Sequence, residues 1–216
     1  MREVTAYNWV PDFAQGFVKD LRVRWALEEA GLSYTQRLID HEQKVQAGHL
    51  SRQPFAQVPV YRDDTADLFE SGAIVLRIAS GSLALMPEGA AAQARVSSWI
   101  FAALNSVEPY VANVQTTELF DSEADWAPGF LEIARQRLSQ RMTRLSDWLE
   151  AREYLEAGRF TAGDLMMATV LRDLERGEML ARFPVIDAYL ARCLSRPAFR
   201  RAHEAQLAAF SGQMPG

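Results

Sequence analysis

The sequence predicts an α/β domain followed by an all-helical domain, and three observations carry that prediction. Stretches rich in β-branched and aromatic residues, bounded by Gly, Pro and Asp, occur only before residue 80. A segment with Gly81, Pro87 and Gly89 running into three alanines then marks a change of composition. Beyond it, apolar residues recur at spacings of three and four through the rest of the chain, the period of helices.

The elements follow in order. Residues 3–9 (EVTAYNW) read as a first strand ending at Val10-Pro11, and a loop with Asp12 and Gly16 follows. VKDLRVRWALEEAG carries Val18, Leu21 and Trp25 at i, i+3 and i+7, with Gly31 where a helix C′ residue belongs. Residues 33–39 form a second strand, and 40–56 are irregular with one possible turn of helix. Residues 57–63 and 66–70 form two short strands around Asp63-Asp64-Thr65, and Ser71-Gly72 opens the helix AIVLRIA. The order β-α-β-(α)-β-β-α makes a compact unit around a four-stranded mixed sheet in residues 1–80. Residues 81–91 are predicted as a linker and 92–216 as a helical domain. Within the latter, Ile133, Leu138, Met142, Leu145 and Leu149 mark the inner face of the longest helix.

A chain of 216 residues with 49% hydrophobic and 24% charged residues has an ordinary globular composition. Its net charge of −5 and pI near 5.3 argue against the clustered cationic surface that nucleic acid or an anionic membrane requires. One cysteine, Cys193, excludes an internal disulfide or a Cys-x-x-Cys pair, and its apolar helix face reads as core. No apolar run has signal-peptide or membrane-span length, so a cytoplasmic location is expected. His41 and His203 lack metal-like neighbours, so they read as surface or packing residues, and no metal is expected.

Three local patterns, in order, resemble the glutathione transferase superfamily. The first is Gln57-Val58-Pro59-Val60 followed by Leu68-Phe69-Glu70-Ser71-Gly72-Ala73-Ile74. The second is Phe160-Thr161-Ala162-Gly163-Asp164, and the third is Arg22 to Leu32, similar to the family's first helix. The resemblance implies a thioredoxin-like N-terminal domain, a C-terminal all-helical glutathione-transferase domain and a cytoplasmic homodimer with a role in detoxification. It also implies glutathione as co-substrate, with a small hydrophobic electrophile as its partner.

The site residues follow from the same resemblance. A cis Val58-Pro59 bond would turn the N–H and C=O of Val58 toward the cysteinyl backbone of glutathione, a form of strand addition. Taken alone, without the downstream Glu70-Ser71, Pro59 reads better as a guard on a sheet edge. Ser71, an N-cap candidate, would take the γ-glutamyl carboxylate at a helix N-terminus, with Glu70 on the ammonium. Gln57 stands near the glycyl end, where His49 and Lys44 are further candidates. Thr161-x-x-Asp164 reads as a capping box with Phe160 stapled to Leu165, a structural motif and not a catalytic one. Trp99, Phe101, Tyr110 and Trp126 are candidates for an electrophile pocket, most of them expected in the core.

The chain departs from the family at the thiol-activating position. Matching the first helix puts the usual Ser or Cys near Gly16-Phe17, which offer neither hydroxyl nor thiol. Asn8, with an amide N–H₂ to donate, is the first candidate for holding the thiolate; Tyr7 and Trp9 are the alternatives. Backbone N–H groups around Phe17 and Val18 are expected to add to it. Two functions therefore stand open: a transferase conjugating glutathione to electrophiles, and a glutathione-binding protein with little or no transfer.

Overall fold

The structure, a computed structural model, describes residues 1–211. Its sheet has four strands: β1 (Glu3–Tyr7), β2 (Thr35–Ile39), β3 (Val60–Arg62) and β4 (Asp67–Leu68). They lie in the order β2-β1-β3-β4, with β1 parallel to β2 and antiparallel to β3, and β3 antiparallel to β4. Central β1 buries Val4, Thr5 and Ala6 completely or nearly so. The predicted strands are all present but shorter. β3 starts after Pro59, because proline has no N–H for the ladder. β4 stops before Glu70, whose φ of 68° takes the backbone out of extended geometry.

The parallel β1–β2 pair needs a crossover, and α1 (Asp20–Glu29) supplies it. The helix begins two residues later than its apolar spacing suggests. Residues 11–19 are instead wound into tight turns, with Ala14 N–H on Pro11, Phe17 N–H on Ala14 and Leu21 N–H on Val18. Its end is the one expected: Gly31 has φ 65°, Gly31 N–H bonds the Glu28 carbonyl and Leu32 N–H the Leu27 carbonyl. This double bond around a left-handed C′ residue satisfies the last carbonyls, and glycine adopts it at no steric cost. A four-residue helix α2 (Ala47–Leu50) follows β2, and α3 (Ser71–Ala79) follows β4.

Packing divides the chain into residues 1–86 with 196 onward, and residues 87–195. The sequence places everything from 92 to 216 in the helical domain; the last helix, α9 (Pro197–Leu207), instead belongs with the sheet. The reason is a set of contacts with α1. Trp25 meets Phe199 edge-on at 4.9 Å, and Arg196 grips Glu29 through two bonds of 2.6 and 2.8 Å. The Gln206 amide donates to Asp20 at 2.6 Å, while Arg24 Nε donates to the other Asp20 oxygen at 2.6 Å. Cys193 is buried, as its helix face suggested.

The second unit is helical: α4 (Ala90–Ala102), α5 (Glu108–Phe120), α6 (Ala127–Leu149), α7 (Ala162–Leu171) and α8 (Pro184–Leu194), with shorter turns between them. A π-helical turn at Ala103–Val107 joins α4 to α5 just before Pro109. Proline cannot donate to the carbonyl four residues back, and the wider turn accommodates that missing bond. On α6, Ala134 joins Leu138, Met142, Leu145 and Leu149 inside, whereas Ile133 is 49% exposed. Helix α7 is buried on every side, and the capping box at its start is formed in both directions. Phe160 and Leu165, the staple pair, are both buried.

Gly163 is the closest approach in this unit: a Cβ built on it would lie 2.7 Å from Trp99 Cβ. A Cβ is tied to its backbone and cannot swing aside, so α4 or α7 would have to move. We expect Gly163→Ala to lose about 1–3 kcal/mol, although alanine is the better helix former by about 1 kcal/mol. Urea unfolding measures it, and a variant as stable as the parent would refute the contact.

Candidate functional site

The end of the β3–β4 hairpin assembles most of the candidate residues. Tyr61 pairs with Leu68 and Arg62 with Asp67, so the same register carried outward brings Val58-Pro59 and Glu70-Ser71 to one end of the hairpin. The Val58-Pro59 bond is cis. Neither the N–H nor the C=O of Val58 makes a hydrogen bond among the described residues. A backbone with both groups open can pair with an incoming strand, as a sheet edge does. Gln57, just before it, is exposed, and its carbonyl accepts from His49 Nε2 at 2.8 Å.

That bond changes the reading of His49. The sequence places it in a loop that closes over a ligand, yet it is only 2% exposed. Because Nε2 donates to a carbonyl, the ring sits behind the 57–59 turn and braces it. Its place at the C-terminal end of α2 sets this position. Lys44 lies elsewhere, its ammonium 5.9 Å from the centre of the Tyr7 ring.

Ser71 is buried and is the first residue of α3, so it is not the N-cap the sequence suggested. Glu70 holds that place, in the left-handed region, with no side-chain capping bond. The first intrahelical bond reaches back from Ile74 N–H to the Glu70 carbonyl. The N–H groups of Ser71, Gly72 and Ala73 make no hydrogen bond among the described residues. Open donors at a helix N-terminus, with the partial positive charge they carry, form a place for an anion. One further residue reaches this point: Arg22, from the first turn of α1, donates through Nη1 to Ser71 Oγ at 3.2 Å. The sequence shows only that Arg22 and Arg24 flank Val23; that residues 20–27 of α1 are all buried is seen in the fold alone.

The end of β1 separates the three thiolate candidates. The Tyr7 ring stacks on His41 at 4.8 Å and 6°, and Trp9 meets the same imidazole edge-on at 6.1 Å. His41 is thus a packing residue, as expected, and so is His203, stacked on Phe199. Burial pushes the Tyr7 phenol up from its usual value, so Tyr7 remains a protonated donor. Asn8 continues the ladder with its N–H on the Ile39 carbonyl at 3.0 Å, and its side-chain amide makes no hydrogen bond among the described residues. The helix-1 contribution expected from Phe17 is absent, because Phe17 N–H is taken by the Ala14 carbonyl.

The four aromatic candidates of the second unit are not core residues. Phe101 and Trp126 are 53% and 54% exposed, and Trp99 packs on Trp148 at 5.2 Å. Among the described residues, no group of three or more His, Cys, Asp or Glu side chains could hold a metal ion, and no helix is long and apolar enough to cross a membrane.

The sheet order, the crossover helix and the open turn at Val58 define a thioredoxin-like domain followed by a helical one. Residues 3–80 match the family described as the glutathione S-transferase N-terminal domain. Comparison with curated protein sequences finds no match. Among solved structures, the chain is similar to a glutathione transferase family member from Pseudomonas fluorescens pf-5 with two glutathione bound. There the identity is 24%, coverage is 94% of this chain and 92% of that one, and the TM-score is 0.82. It is also similar to glutathione transferase F7 from Populus trichocarpa (20% identity, 95% and 99% coverage, TM-score 0.80). A third is Ure2p in complex with glutathione (19% identity, 93% and 97% coverage, TM-score 0.79). At these identities the likeness establishes a shared fold over nearly the whole chain.

Proposed function

We propose that the chain binds glutathione at the end of the β3–β4 hairpin and adds its thiolate to small hydrophobic electrophiles. The observation that carries this is the open backbone of Val58 at the same hairpin end as the uncapped N-terminus of α3, within a glutathione S-transferase N-terminal domain. Val58 pairs with the cysteinyl backbone, Ser71 and the first N–H groups of α3 take the γ-glutamyl carboxylate, and Glu70 takes its ammonium. Gln57 offers its exposed amide to the glycyl end, while His49 holds the Gln57 carbonyl in place. Homodimeric assembly, a cytoplasmic location and a detoxifying role belong to the same reading, carried by the family. Residues 1–80 and 92–216 remain the proposed functional division, with α9 serving the first part.

Asn8 is the group assigned to the thiolate. A free thiol of pKa near 8.5 is only about 3% ionised at pH 7. One donor aimed at the sulfur, worth about 1.5–3 kcal/mol, lowers that pKa by roughly 1–2 units. A side-chain amide supplies such a bond as well as a hydroxyl does, because the requirement is a donor and not a base. The test is the thiolate absorbance of bound glutathione against pH, for the parent and for Asn8→Ala. We expect a lowered pKa in the parent and a return toward the free value in the variant.

A second reading is kept by one observation, the lack of a hydroxyl or thiol at Gly16-Phe17. It is a glutathione-binding protein with little or no transfer. The same titration decides it: bound glutathione that ionises at its free value in the parent makes the chain a binder. A lowered pKa that Asn8→Ala leaves unchanged keeps the transferase and removes Asn8.

A further inference from the structure

We propose that the end of the sheet remote from Val58 holds a second binding site, for a phosphate dianion, built from Arg2, Tyr61 and Arg77. A cavity of about 280 Å³ opens there, lined by these three residues with Asp63 and the apolar Leu32 and Ile78. That volume suits a phosphate group carrying at most a small substituent. The strand register fixes its place: Val4 pairs with Tyr61 at one end of β1, and Tyr7 with Ile39 at the other. Arg2 and Asn8 flank that strand and stand about 20 Å apart, at roughly 3.3 Å per residue. The cavity is therefore separate from the glutathione site proposed above.

The chain carries a net charge of −5, so an anion is held only where positive charge is locally in excess. Here two guanidiniums face one carboxylate, and that carboxylate is already occupied. Asp63 Oδ1 accepts from Thr65 N–H, Thr65 Oγ1 and Ala66 N–H, and Oδ2 accepts from Arg77 Nε at 3.1 Å. Asp64, next along, pairs with the Met1 ammonium. Arg2 is half-buried and makes no ion pair among the described residues. Arg77 uses Nε on Asp63 and Nη2 on Thr65 Oγ1, which leaves Nη1 open. Tyr61 is 2% exposed. Burial, together with Asp63, pushes its phenol above the ordinary value against the pull of Arg2 and Arg77, so it stays protonated. Arg2 can only donate to that hydroxyl, and the phenol proton is left for a ligand oxygen. The C-terminal carbonyls of α3, which repel an anion when open, are covered: Leu76 by Ser80 N–H and Oγ, and Ile78 by Gly81 N–H. A guanidinium fork matches two phosphate oxygens, and the phenol serves a third.

The experiment titrates the full chain with inorganic phosphate, phenyl phosphate and acetate by calorimetry, at constant ionic strength because surface charge is screened by salt. We expect phosphate to bind with a Kd below about 1 mM, as two or more charge-assisted bonds provide. Arg2→Gln and Tyr61→Phe should each weaken it about tenfold, the loss of one such bond. Phosphate whose affinity neither variant changes sits elsewhere, the α3 N-terminus included, and overturns the proposal. So does a parent without saturable binding up to about 10 mM phosphate. Acetate, with one charge and two oxygens, should bind about tenfold more weakly; acetate as tight as phosphate overturns the phosphate assignment. Phenyl phosphate that binds more tightly than phosphate assigns a monoester with its ring on Leu32 and Ile78. Phenyl phosphate that binds no more tightly assigns free phosphate, and either result supports the site. Should Tyr61→Phe not fold by circular dichroism, Arg2→Gln alone carries the comparison, and an affinity unchanged in it overturns the proposal.

Discussion

Asp164→Ala should destabilise the protein by about 3–5 kcal/mol, more than any other single substitution proposed for this chain. Four donors converge on this one carboxylate. Leu155 N–H at 2.8 Å and Tyr189 Oη at 3.0 Å reach one oxygen, and Thr161 N–H at 2.9 Å and Thr161 Oγ at 3.0 Å reach the other. Thr161, Asp164 and Tyr189 are fully buried, so water cannot replace the lost acceptor. Alanine removes the capping box, worth about 1 kcal/mol, and strands buried donors at about 1–3 kcal/mol each. Urea unfolding gives the loss, and a change below about 1 kcal/mol, the size of the cap alone, would refute the network.

The pH dependence has a definite sign. Burial pushes the Asp164 carboxyl above its usual value, outweighing the bonds from Leu155, Thr161 and Tyr189 that pull it down. Between the ordinary and the raised value the folded state holds a proton that the unfolded state has released. Asp164 therefore contributes less stability as pH rises through that window. Asp164→Asn, which has no charge to desolvate and keeps one acceptor, should cost less than alanine and flatten that slope.

Where local chemistry decides a feature, the sequence is sufficient to read it. Gly31 ends α1 because the motif needs a left-handed residue, and Thr161 with Asp164 starts α7 because the two side chains reciprocate. Pro59 and Glu70-Ser71 likewise mark the proposed site through residue types at short spacing. What escapes depends on distant partners. Arg196 and Glu29 are 167 residues apart, and nothing in either segment alone says that α9 packs on α1. On α6, Ala134 stands four residues before Leu138 and Ile133 five, so the helical spacing itself favours Ala134, and the stronger hydrophobicity of Ile133 is what misdirects the reading. Ser71 reads as a cap because the rule weighs residue type, whereas in the fold the strained Glu70 occupies that place. Arg22 stands in plain view but without an evident role, because its partner Ser71 lies 49 residues away.

Ser71→Ala should weaken glutathione binding by roughly 10- to 150-fold, the largest effect expected on ligand binding. This corresponds to one hydrogen bond to a charged group, about 1.5–3 kcal/mol. The hydroxyl is well placed to deliver it, since Arg22 donates to its oxygen and its proton is left for the ligand. The N–H groups of Ser71, Gly72 and Ala73 survive the substitution, so binding weakens without vanishing. Because Ser71 is not the N-cap of α3, no capping energy is lost. The cost to folding is confined to one acceptor removed from the Arg22 guanidinium, about 1–3 kcal/mol, and thermal unfolding of the variant accounts for it. Titration calorimetry on folded Ser71→Ala gives the affinity. An affinity equal to the parent's would remove the carboxylate from Ser71, and with it the argument that places glutathione along this hairpin.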